Sequence, residues 1–598
     1  MTNLSENTFG DALAHHRTGR LEEAVEAYGS VLADSPDHPD VLNNLGACLI
    51  DLGRAESAVE VLSQAAELSP ADADILNNLG NALQRAHRAE EAVARFEAAA
   101  ESDPGNPMIR VNLAKTLLRL GAYEEGCHQL TRARSLDPAS APIAFADTLA
   151  LPVIYDSIDQ VEVARMRFEE KLAELEAGTW SITDPAAEVG LSNFYLPYQG
   201  RNDRDIQERL AAAYLKACPA LDYVAPHCRP GVARREGRVR IGFVSTHFSG
   251  HTIGKLFRGL ITGLYRSIFD VTVFHPCPDG REIDPDLRDL SEAVDTFVPI
   301  LPGLEAAQTL IASFEQDILY YPDIGMEPVS YFLAFARLAP VQCAGWGHPV
   351  TTGIPAIDHF LSWRLHEPVG AADHYSEPLT LFDGFCSAYA RPEFNGMTDR
   401  KALGIPEGGT LYLCPQSLFK VHPGDDQLWG DILRRDSNGR IVFLGGQQAR
   451  WADRLKARFD RTFPDVAGRI IILPRLSGAD YLQALQTADV ILDTPRWSGG
   501  NTSFEAFAAG KVIVTLPGDH MRGLFTTGLY RQMGLEDLVP ASTDAYVEMA
   551  VHLGSDPEKR SRQEARIQER SSRIFNNKDT LDTHSRFFEE ALRAAGRL

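Results

Sequence analysis

The 598-residue chain has few cysteines, no long apolar run and no excess of basic charge. Its eight cysteines include no C-x-x-C pair, which argues against a zinc site, a redox motif or a disulfide framework and fits a reducing cytoplasm. No apolar run approaches the ~20 residues of a membrane span, and the polar residues 1–20 lack the apolar core of a signal peptide. The net charge of −24 argues against a nucleic-acid surface and against docking on an anionic membrane. A cytoplasmic protein without a nucleic-acid partner is therefore expected.

Several nucleotide and metal motifs are also missing. No G-x-G-x-x-G follows a first strand, which disfavours a nicotinamide enzyme, and there is neither a Walker A sequence nor a set of kinase motifs. His247 and His251 are four residues apart, but Gly250 favours a loop here and no third ligand follows. We therefore expect no metal and no bound cofactor.

A 34-residue period organises the first 138 residues. Prolines keep this step, and small residues keep it at two further positions: Pro36, Pro70, Pro104 and Pro138; Ala24, Ala58, Ala92 and Gly126; Ala12, Gly46, Gly80 and Ala114. Small residues let two helices approach closely, and proline ends the second helix. This pattern is typical of tetratricopeptide (TPR) helix pairs. Four repeats are predicted over residues 1–138, as an α-solenoid with a concave surface for an extended peptide.

Asparagines recur on one face of the predicted repeats, at Asn44, Asn78 and Asn112. A carboxamide both donates and accepts hydrogen bonds, so such a ladder could hold the backbone of any extended peptide regardless of its sequence. The alternative is that these side chains pin the helices of the array to one another.

Short apolar strands alternate with helical stretches from residue 238 onward, which predicts parallel sheets covered by helices. Ten segments are strand candidates: 239–245, 271–274, 318–321, 341–344, 360–362, 411–414, 441–444, 470–473, 490–492 and 512–514. We predict a helical connector at 139–237, a first Rossmann-like lobe at 238–395, a second at 396–560 and a charged helical tail at 561–598. Two such lobes would place a ligand in the cleft between them.

The strongest local signal is the turn after the strand at 490–492. It carries Gly499, Gly500, Asn501, Thr502, Ser503 and Glu505. The glycines would let the backbone approach a ligand, and the next three residues would cap a helix and offer N–H groups to a phosphate. Glu505 could accept hydrogen bonds from a ribose diol. This combination predicts a nucleotide-sugar site, although a plain capped turn is the alternative.

Three further loops follow predicted strands. Gln416, Ser417 and Lys420 follow the first strand of the second lobe, where the lysine could neutralise a departing phosphate. His251 follows the first strand of the other lobe and could act as a general base or orient an acceptor hydroxyl. His348 lies in a loop rich in glycine and aromatic residues that we expect to contact donor or acceptor.

Taken in order, these motifs resemble one family over nearly the whole chain. L-N-N-L-G repeats are followed by R-V-R-I-G-F-V-S-x-x-F-x-x-H, W-G-x-P-x-T-x-G, L-F-K and D-T-P-x-x-x-G. The chain resembles the TPR-containing O-linked N-acetylglucosamine transferases, the SPINDLY-type O-fucosyltransferases and their bacterial relatives. The resemblance implies a GT-B fold and inverting, metal-independent transfer of a sugar to Ser or Thr hydroxyls. Bacterial relatives of this layout often modify flagellin or other surface proteins.

The resemblance also implies site residues. His251 matches the family's active-site histidine, Lys420 the lysine that holds the donor diphosphate, Asn501 and Thr502 its threonine pair, and Glu505 its ribose-binding acid. The chain departs from the family in the donor pocket. The N-acetylglucosamine enzymes carry histidines at the places of Gly500 and Tyr481, a lysine at the place of Gly478 and a glutamine at the place of Ser417. UDP-GlcNAc, GDP-fucose and a CMP-activated nonulosonic acid therefore all stay open as donors.

We accordingly predict a cytoplasmic protein O-glycosyltransferase whose TPR array grips the acceptor, plausibly flagellin. The alternative is a non-catalytic TPR scaffold with a domain that senses a nucleotide-sugar. A transferase acting on lipid or polysaccharide fits less well, because the chain is acidic and has no basic amphipathic helix.

Overall fold

The computed structural model describes residues 3–277, 284–385, 387–394 and 399–598, with side chains from residue 9 onward. The boundary predicted between the two lobes, at residues 395 and 396, lies outside the described residues. The chain forms two compact units, one made mainly of residues up to Pro152 and one made mainly of residues from Val153 onward.

The first unit is an array of helix pairs. Its helices are α1 (Asn3–Arg17), α2 (Leu21–Asp34), α3 (Pro39–Asp51), α4 (Ala55–Leu68), α5 (Ala73–Arg85), α6 (Ala89–Ser102), α7 (Pro107–Leu120), α8 (Tyr123–Leu136) and α9 (Ala141–Leu149). The odd-numbered helices α1, α3, α5 and α7 also contact one another from repeat to repeat. We call these four helices the inner layer of the array.

The small residues of the period allow the close packing that the sequence predicts. A Cβ atom at Gly46 would overlap the Leu62 side chain, and one at Gly80 would overlap the ring of Phe96. Both partners lie on the second helix of their repeat and are fully buried. The periodic prolines follow the ends of α2, α4, α6 and α8 by two residues, so the predicted helix-ending role of Pro is confirmed.

Two parallel sheets organise the second unit. The first has the strand order β3-β2-β1-β4-β5-β6-β7, and the second has the order β10-β9-β8-β11-β12. The strands are β1 (Val239–Val244), β2 (Phe269–Pro276), β3 (Thr296–Ile300), β4 (Ile318–Tyr321), β5 (Val341–Ala344), β6 (His359–Trp363), β7 (Leu379–Phe382), β8 (Leu411–Cys414), β9 (Arg440–Leu444), β10 (Ile470–Leu473), β11 (Val490–Leu492) and β12 (Ile513–Val514). All ten strand candidates are confirmed, whereas β3 and β7 were not predicted.

Helices connect and cover these strands. They are α10 (Ile158–Ala177), α11 (Pro185–Glu188), α12 (Arg204–Ala217), α13 (Thr252–Gly263), α14 (Pro285–Ala293), α15 (Leu304–Ser313), α16 (Pro328–Leu333), α17 (Asp426–Arg435), α18 (Ala449–Thr462), α19 (Gly478–Thr487), α20 (Asn501–Ala508), α21 (Phe525–Met533), α22 (Thr543–Ser555), α23 (Pro557–Arg570) and α24 (Asp579–Ala594). In each sheet the chain reverses its order beside the first strand, between β1 and β4 and between β8 and β11. Doubly wound sheets bind ligands at this point.

The C-terminal helix α24 returns to the lobe of the first sheet. Phe588 is fully buried, with its ring 6.1 Å from that of Phe269 and 6.4 Å from that of Tyr320. The Thr580 hydroxyl donates to backbone carbonyl oxygens of Phe385 and Ser387. The segment predicted as a charged tail therefore contributes core residues to this lobe.

Across the described residues, every helix is too short or too polar to cross a bilayer.

Candidate functional site

A cavity of about 240 Å³ lies within the second unit, where residues that follow strands of both sheets meet. Its walls include residues after β1, β5, β8 and β11, namely His251, Trp346, His348, Gln416, Ser417, Lys420, Gly500, Asn501 and Thr502. A second cavity of about 590 Å³ shares His251, Gln416 and Ser417 with the first and extends to Gly478 and Tyr481. Most of the residues predicted for donor and catalytic roles in the two lobes are thus brought together at one place, whereas Gly499, Ser503 and Glu505 are not among the residues that line the two cavities.

Asp493 organises the glycine-rich turn. Its carboxylate is 1% exposed and accepts hydrogen bonds from the Gly499 backbone N–H at 2.8 Å and from the hydroxyls of Ser498 and Thr515 at 2.5 and 2.8 Å. The backbone N–H of Gly499 thereby fixes the start of the turn against the end of β11. The sequence analysis did not assign Asp493 a role, although an acid directly after a buried strand is a recognisable signal.

The helix start differs from the prediction in one respect. Gly500 is the N-cap of α20, and no side chain caps the helix. The side chains of the three residues predicted as caps point elsewhere: Asn501 accepts from the Tyr389 hydroxyl at 2.6 Å, Thr502 from the Gln416 amide at 2.9 Å, and Ser503 pairs with Thr526 at 2.7 Å. The capping prediction was wrong because the helix already begins at Asn501. Among the described residues, the backbone N–H groups of Asn501 and Thr502 have no acceptor.

Lys420 is linked to the start of α20 by hydrogen bonds through one side chain, that of Gln416. Its ammonium donates to the Gln416 amide oxygen at 2.9 Å, and the Gln416 amide nitrogen donates to Thr502. Burial lowers the pKa of Lys420 to about 8, although the charge of Asp493 acts to raise it. No carboxylate of the described residues forms an ion pair with this ammonium. A cation in this state favours an anionic ligand.

Glu505 is nearly buried and forms an ion pair with Lys255 of α13, at 3.1 Å between Oε1 and Nζ. This pair joins the two lobes beside the cavity. Burial and the nearby Glu505 carboxylate raise the pKa of Tyr481 well above its ordinary value. A carboxylate offers several acceptor sites, so the pairing with Lys255 leaves room for a second partner.

His251 is held as a hydrogen-bond donor towards the cavity. It is the N-cap of α13, and its Nδ1 accepts from the Ile253 backbone N–H at 3.2 Å. Burial, followed by the neighbouring His247, lowers the pKa of His251 to about 4, so the ring is neutral near pH 7. Because Nδ1 accepts, the assigned proton of the neutral ring is on Nε2. In this tautomer Nε2 donates and does not act as a base.

The sequence analysis missed a buried acid, Asp323, which contacts His247 beside His251. Asp323 is fully buried two residues after β4 and accepts from His247 Nδ1 at 2.8 Å and from the Ser245 hydroxyl at 2.9 Å. Burial acts to lower the pKa of His247, but the hydrogen bond and charge of Asp323 outweigh it and the pKa is raised. The His247 and His251 rings are 4.5 Å apart. The positive charge that His247 carries when protonated therefore acts to lower the pKa of His251.

Aromatic rings form the remaining wall of the smaller cavity. Burial lowers the pKa of His348 to about 3, and its ring stacks on Phe194 at 5.5 Å. Tyr198 stacks on Trp497 at 4.0 Å. Phe194 and Tyr198 come from the connector before β1, so no local pattern around the strand ends could have placed them here.

The asparagines of the first unit are bonded to one another across repeats. The Asn78 amide donates to Asn43 at 2.9 Å, the Asn112 amide donates to Asn77 at 3.0 Å, and Asn44 donates to the Asp40 backbone carbonyl oxygen at 2.7 Å. The bonds of Asn78 and Asn112 join helices of neighbouring repeats, as the alternative interpretation expects, whereas the bond of Asn44 lies within α3. The peptide ladder stays a prediction that concerns the remaining amide atoms.

A metal centre has no candidate among the residues that the structure describes: they contain no group of three or more His, Cys, Asp or Glu side chains that could hold an ion.

Comparison with known families gives one match in each unit. The model of glycosyl transferase family 41 matches residues 386–583, and the tetratricopeptide repeat model matches residues 16–82 and 83–144. Residues 386–583 are thus similar to glycosyl transferase family 41. The family 41 match contains Gln416, Lys420, Asp493 and the glycine-rich turn, so the predicted family resemblance is confirmed.

Two of the relatives that the chain matches are plant proteins. The chain is 26% identical over 336 residues to the probable UDP-N-acetylglucosamine–peptide N-acetylglucosaminyltransferase SEC of Arabidopsis thaliana. This alignment covers 54% of this chain and 34% of that protein. It is 30% identical over 225 residues to the probable UDP-N-acetylglucosamine–peptide N-acetylglucosaminyltransferase SPINDLY of Arabidopsis thaliana. This alignment covers 37% of this chain and 24% of that protein. The chain thus spans a quarter to a third of these relatives.

A solved structure supports the fold of the whole chain. A mutant O-GlcNAc transferase from Thermobaculum terrenum aligns over the full length of both chains, with a TM-score of 0.54 and 21% identity. The predicted combination of TPR repeats with a two-lobed GT-B fold is confirmed by this similarity and by the two parallel sheets.

The two glycines of the family 41 turn give a matched pair of tests. A Cβ atom at Gly499 would lie closer than 3.0 Å to the polar side-chain atoms of Gln416, Thr502 and Ser503, whereas one at Gly500 would meet nothing within 4 Å. We expect Gly499→Ala to lower the free energy of unfolding by about 1–3 kcal/mol and Gly500→Ala to leave it within about 0.5 kcal/mol. Urea unfolding of both variants measures this, and equal stability of the two would contradict the packing described here.

Proposed function

We propose that this protein is an inverting protein O-glycosyltransferase that moves a sugar from a nucleotide-sugar to Ser or Thr hydroxyls of a protein held by the TPR array. The observation that supports it most directly is the meeting of Lys420, the start of α20 and His251 around one cavity. A lysine without an acidic partner and two backbone N–H groups without acceptors suit a phosphate. The match to family 41 supports the same reaction class.

In the proposed reaction, the donor phosphates contact Lys420 and the N–H groups of Asn501 and Thr502. The acceptor oxygen attacks the anomeric carbon, the bond from that carbon to the phosphate oxygen breaks, and the nucleotide leaves with the bonding electrons. Fixed donors aimed at the leaving phosphate stabilise the charge that develops on it. The acceptor proton passes to water or to a phosphate oxygen of the substrate, because His251 has its proton on Nε2 and donates.

Two further contacts complete the proposed substrate site. The Glu505 carboxylate has acceptor sites that its ion pair with Lys255 does not use, and these accept hydrogen bonds from the ribose diol. His348 contributes to the acceptor side of the cavity. Gln416 and Ser417 line both cavities, which supports a role for them between the bound phosphates and a sugar in the larger space near Gly478 and Tyr481. Gly499, Gly500 and Ser503 shape the turn below the phosphate.

The donor is tested by a transfer assay with three labelled compounds. The purified full chain is incubated with UDP-GlcNAc, GDP-fucose or a CMP-nonulosonic acid, each carrying a radiolabelled sugar, together with flagellin and a protein extract as acceptors. We expect label in protein from one donor only. Binding of a donor without transfer or hydrolysis would support the non-catalytic scaffold and overturn the proposal.

The acceptor is identified by intact mass spectrometry of flagellin and other surface proteins from cells with and without the gene. We expect a mass difference equal to whole sugar residues on at least one protein. An inverted anomeric configuration of the product sugar tests the stereochemistry, and a retained configuration would contradict the single-displacement step.

A further inference from the structure

His247 and Asp323 form a hydrogen-bonded pair that the proposed reaction does not use. Asp323 is fully buried, and its Oδ2 accepts from His247 Nδ1 at 2.8 Å and from the Ser245 hydroxyl at 2.9 Å. The Ser245 hydroxyl oxygen in turn accepts from the backbone N–H of His247 at 2.9 Å. One serine thus fixes both members of the pair, the carboxylate of Asp323 and the backbone of His247.

This pairing determines which nitrogen of His247 takes up a proton. Nδ1 also lies 3.2 Å from the Thr246 hydroxyl, but the carboxylate is the stronger acceptor, so the proton of the neutral ring is assigned to Nδ1. Nε2 is then the basic nitrogen, and within the part of the chain that the structure describes it has no hydrogen-bond partner. A buried carboxylate orients the histidine base of a hydrolase triad in the same way.

The charges that face His247 favour its protonated form. Burial acts to lower its pKa, but the hydrogen bond and charge of Asp323, together with the charge of Glu327, outweigh burial and raise it. Two other histidines face the ring, His251 and His275. Burial lowers the pKa of both, that of His251 to about 4, so both are neutral near pH 7 and do not oppose a proton on His247.

His247 lies one ring away from the two cavities. The centroids of the His247 and His251 rings are 4.5 Å apart, and His251 lines both cavities whereas His247 lines neither. A base reaches its proton either directly or through one water. The cavities, of about 240 and 590 Å³, far exceed the roughly 10–15 Å³ that a water needs. The His247 side chain is 23% exposed, so the ring is also in contact with solvent.

We propose that His247, held by Asp323, takes up through one water the proton that the acceptor hydroxyl releases during sugar transfer. As the acceptor oxygen bonds to the anomeric carbon, its proton passes to the water, a proton of that water passes to His247 Nε2, and the nucleotide leaves with the bonding electrons. The imidazolium then returns the proton to solvent. His251 keeps its own proton throughout. The relay rests on the proposed function, because it concerns the proton of the transfer step.

The pH profile of the transfer rate tests this relay. The neutral form of His247 is the active one, so the rate of the parent protein should fall as the pH is lowered through a pKa above the ordinary value of 6.5. We expect His247→Gln to lower kcat about a hundredfold or more and to abolish this acid limb, with the affinity for the nucleotide product changed less than about twofold. Asp323→Asn keeps an oxygen acceptor for Nδ1 but removes the charge, so it should move the limb about one pH unit lower.

The matched control is His552→Gln, because His552 is exposed on α22, contacts Lys559 and lines neither cavity. It should leave the rate and the profile unchanged. Added imidazole should restore part of the rate of His247→Ala, which a purely structural role of the ring would not allow. If the parent protein transfers sugar and His247→Gln keeps its rate and acid limb, the relay alone is overturned. If the parent protein transfers sugar from none of the donors, the proposed function is overturned and the relay with it.

Discussion

Lys420→Ala should slow sugar transfer about a hundredfold or more, the usual cost of removing one fixed donor to a developing oxyanion. The lysine has no acidic partner and is held by Gln416 against the start of α20, so its charge is available to the leaving phosphate. The measurement is the initial rate of label transfer from the active donor at saturating acceptor. Lys456→Ala is the control, because Lys456 is half-exposed on α18 and forms an ion pair with Asp460 on the same helix.

The pH dependence of nucleotide binding gives this prediction a second readout. Since burial lowers the pKa of Lys420 to about 8, the ammonium is present at pH 7 and is lost as the pH rises through that value. We expect the affinity for the nucleotide product to weaken between pH 7 and pH 9 in the parent protein and to stay nearly constant in Lys420→Met. An unchanged transfer rate in Lys420→Ala would remove this lysine from the mechanism.

Arg458→Met should lower the free energy of unfolding by about 3–5 kcal/mol, because it leaves a buried carboxylate without its partner. The side chains of Arg458 and Asp426 are 1% and 2% exposed and are joined by two hydrogen bonds of 2.9 and 2.8 Å. Arg458 also donates to the backbone carbonyl oxygens of Tyr155 and Val421. The fluorescence of the buried Trp429, on the same helix as Asp426, follows the unfolding in urea.

Two controls separate burial from charge. Arg461→Met, an exposed position on the same helix α18, should cost less than about 1 kcal/mol. The double variant Arg458→Met with Asp426→Leu should recover more than half of the lost stability, because it removes the orphaned charge as well. If the single and double variants unfold at the same urea concentration, the buried pair does not have the role described here.

The periodic and apolar parts of the fold could be predicted because their signal is local. Strands such as Ile470–Leu473 are uninterrupted apolar runs, and the repeat prolines mark helix ends directly. The missed strands lack this signal. β3 contains Pro299 and has only two buried residues, and β7 lies at the sheet edge with one. Both strands become visible only through pairing with a neighbour.

The candidate site was predictable where a residue follows a strand and invisible where it does not. Lys420 and Asn501 were placed correctly at the cavity because parallel strands end at a shared edge. Phe194 and Tyr198 precede the cavity's strand-end residues by more than fifty positions, so only tertiary packing brings them there. The side-chain caps at Asn501, Thr502 and Ser503 failed because the helix begins one residue earlier than a cap at Asn501 requires, which leaves these side chains to bond across the fold.

The position of α24 has a consequence for the order in which the protein is made. Phe588 and Leu592 are fully buried, and Phe588 contacts rings on β2 and β4, which precede it by more than 250 residues. During synthesis the early lobe therefore lacks part of its interior until the more than 250 residues between β4 and Phe588 have been made. The apolar surface awaiting that helix is the place where a chaperone would be needed while translation of the second lobe continues.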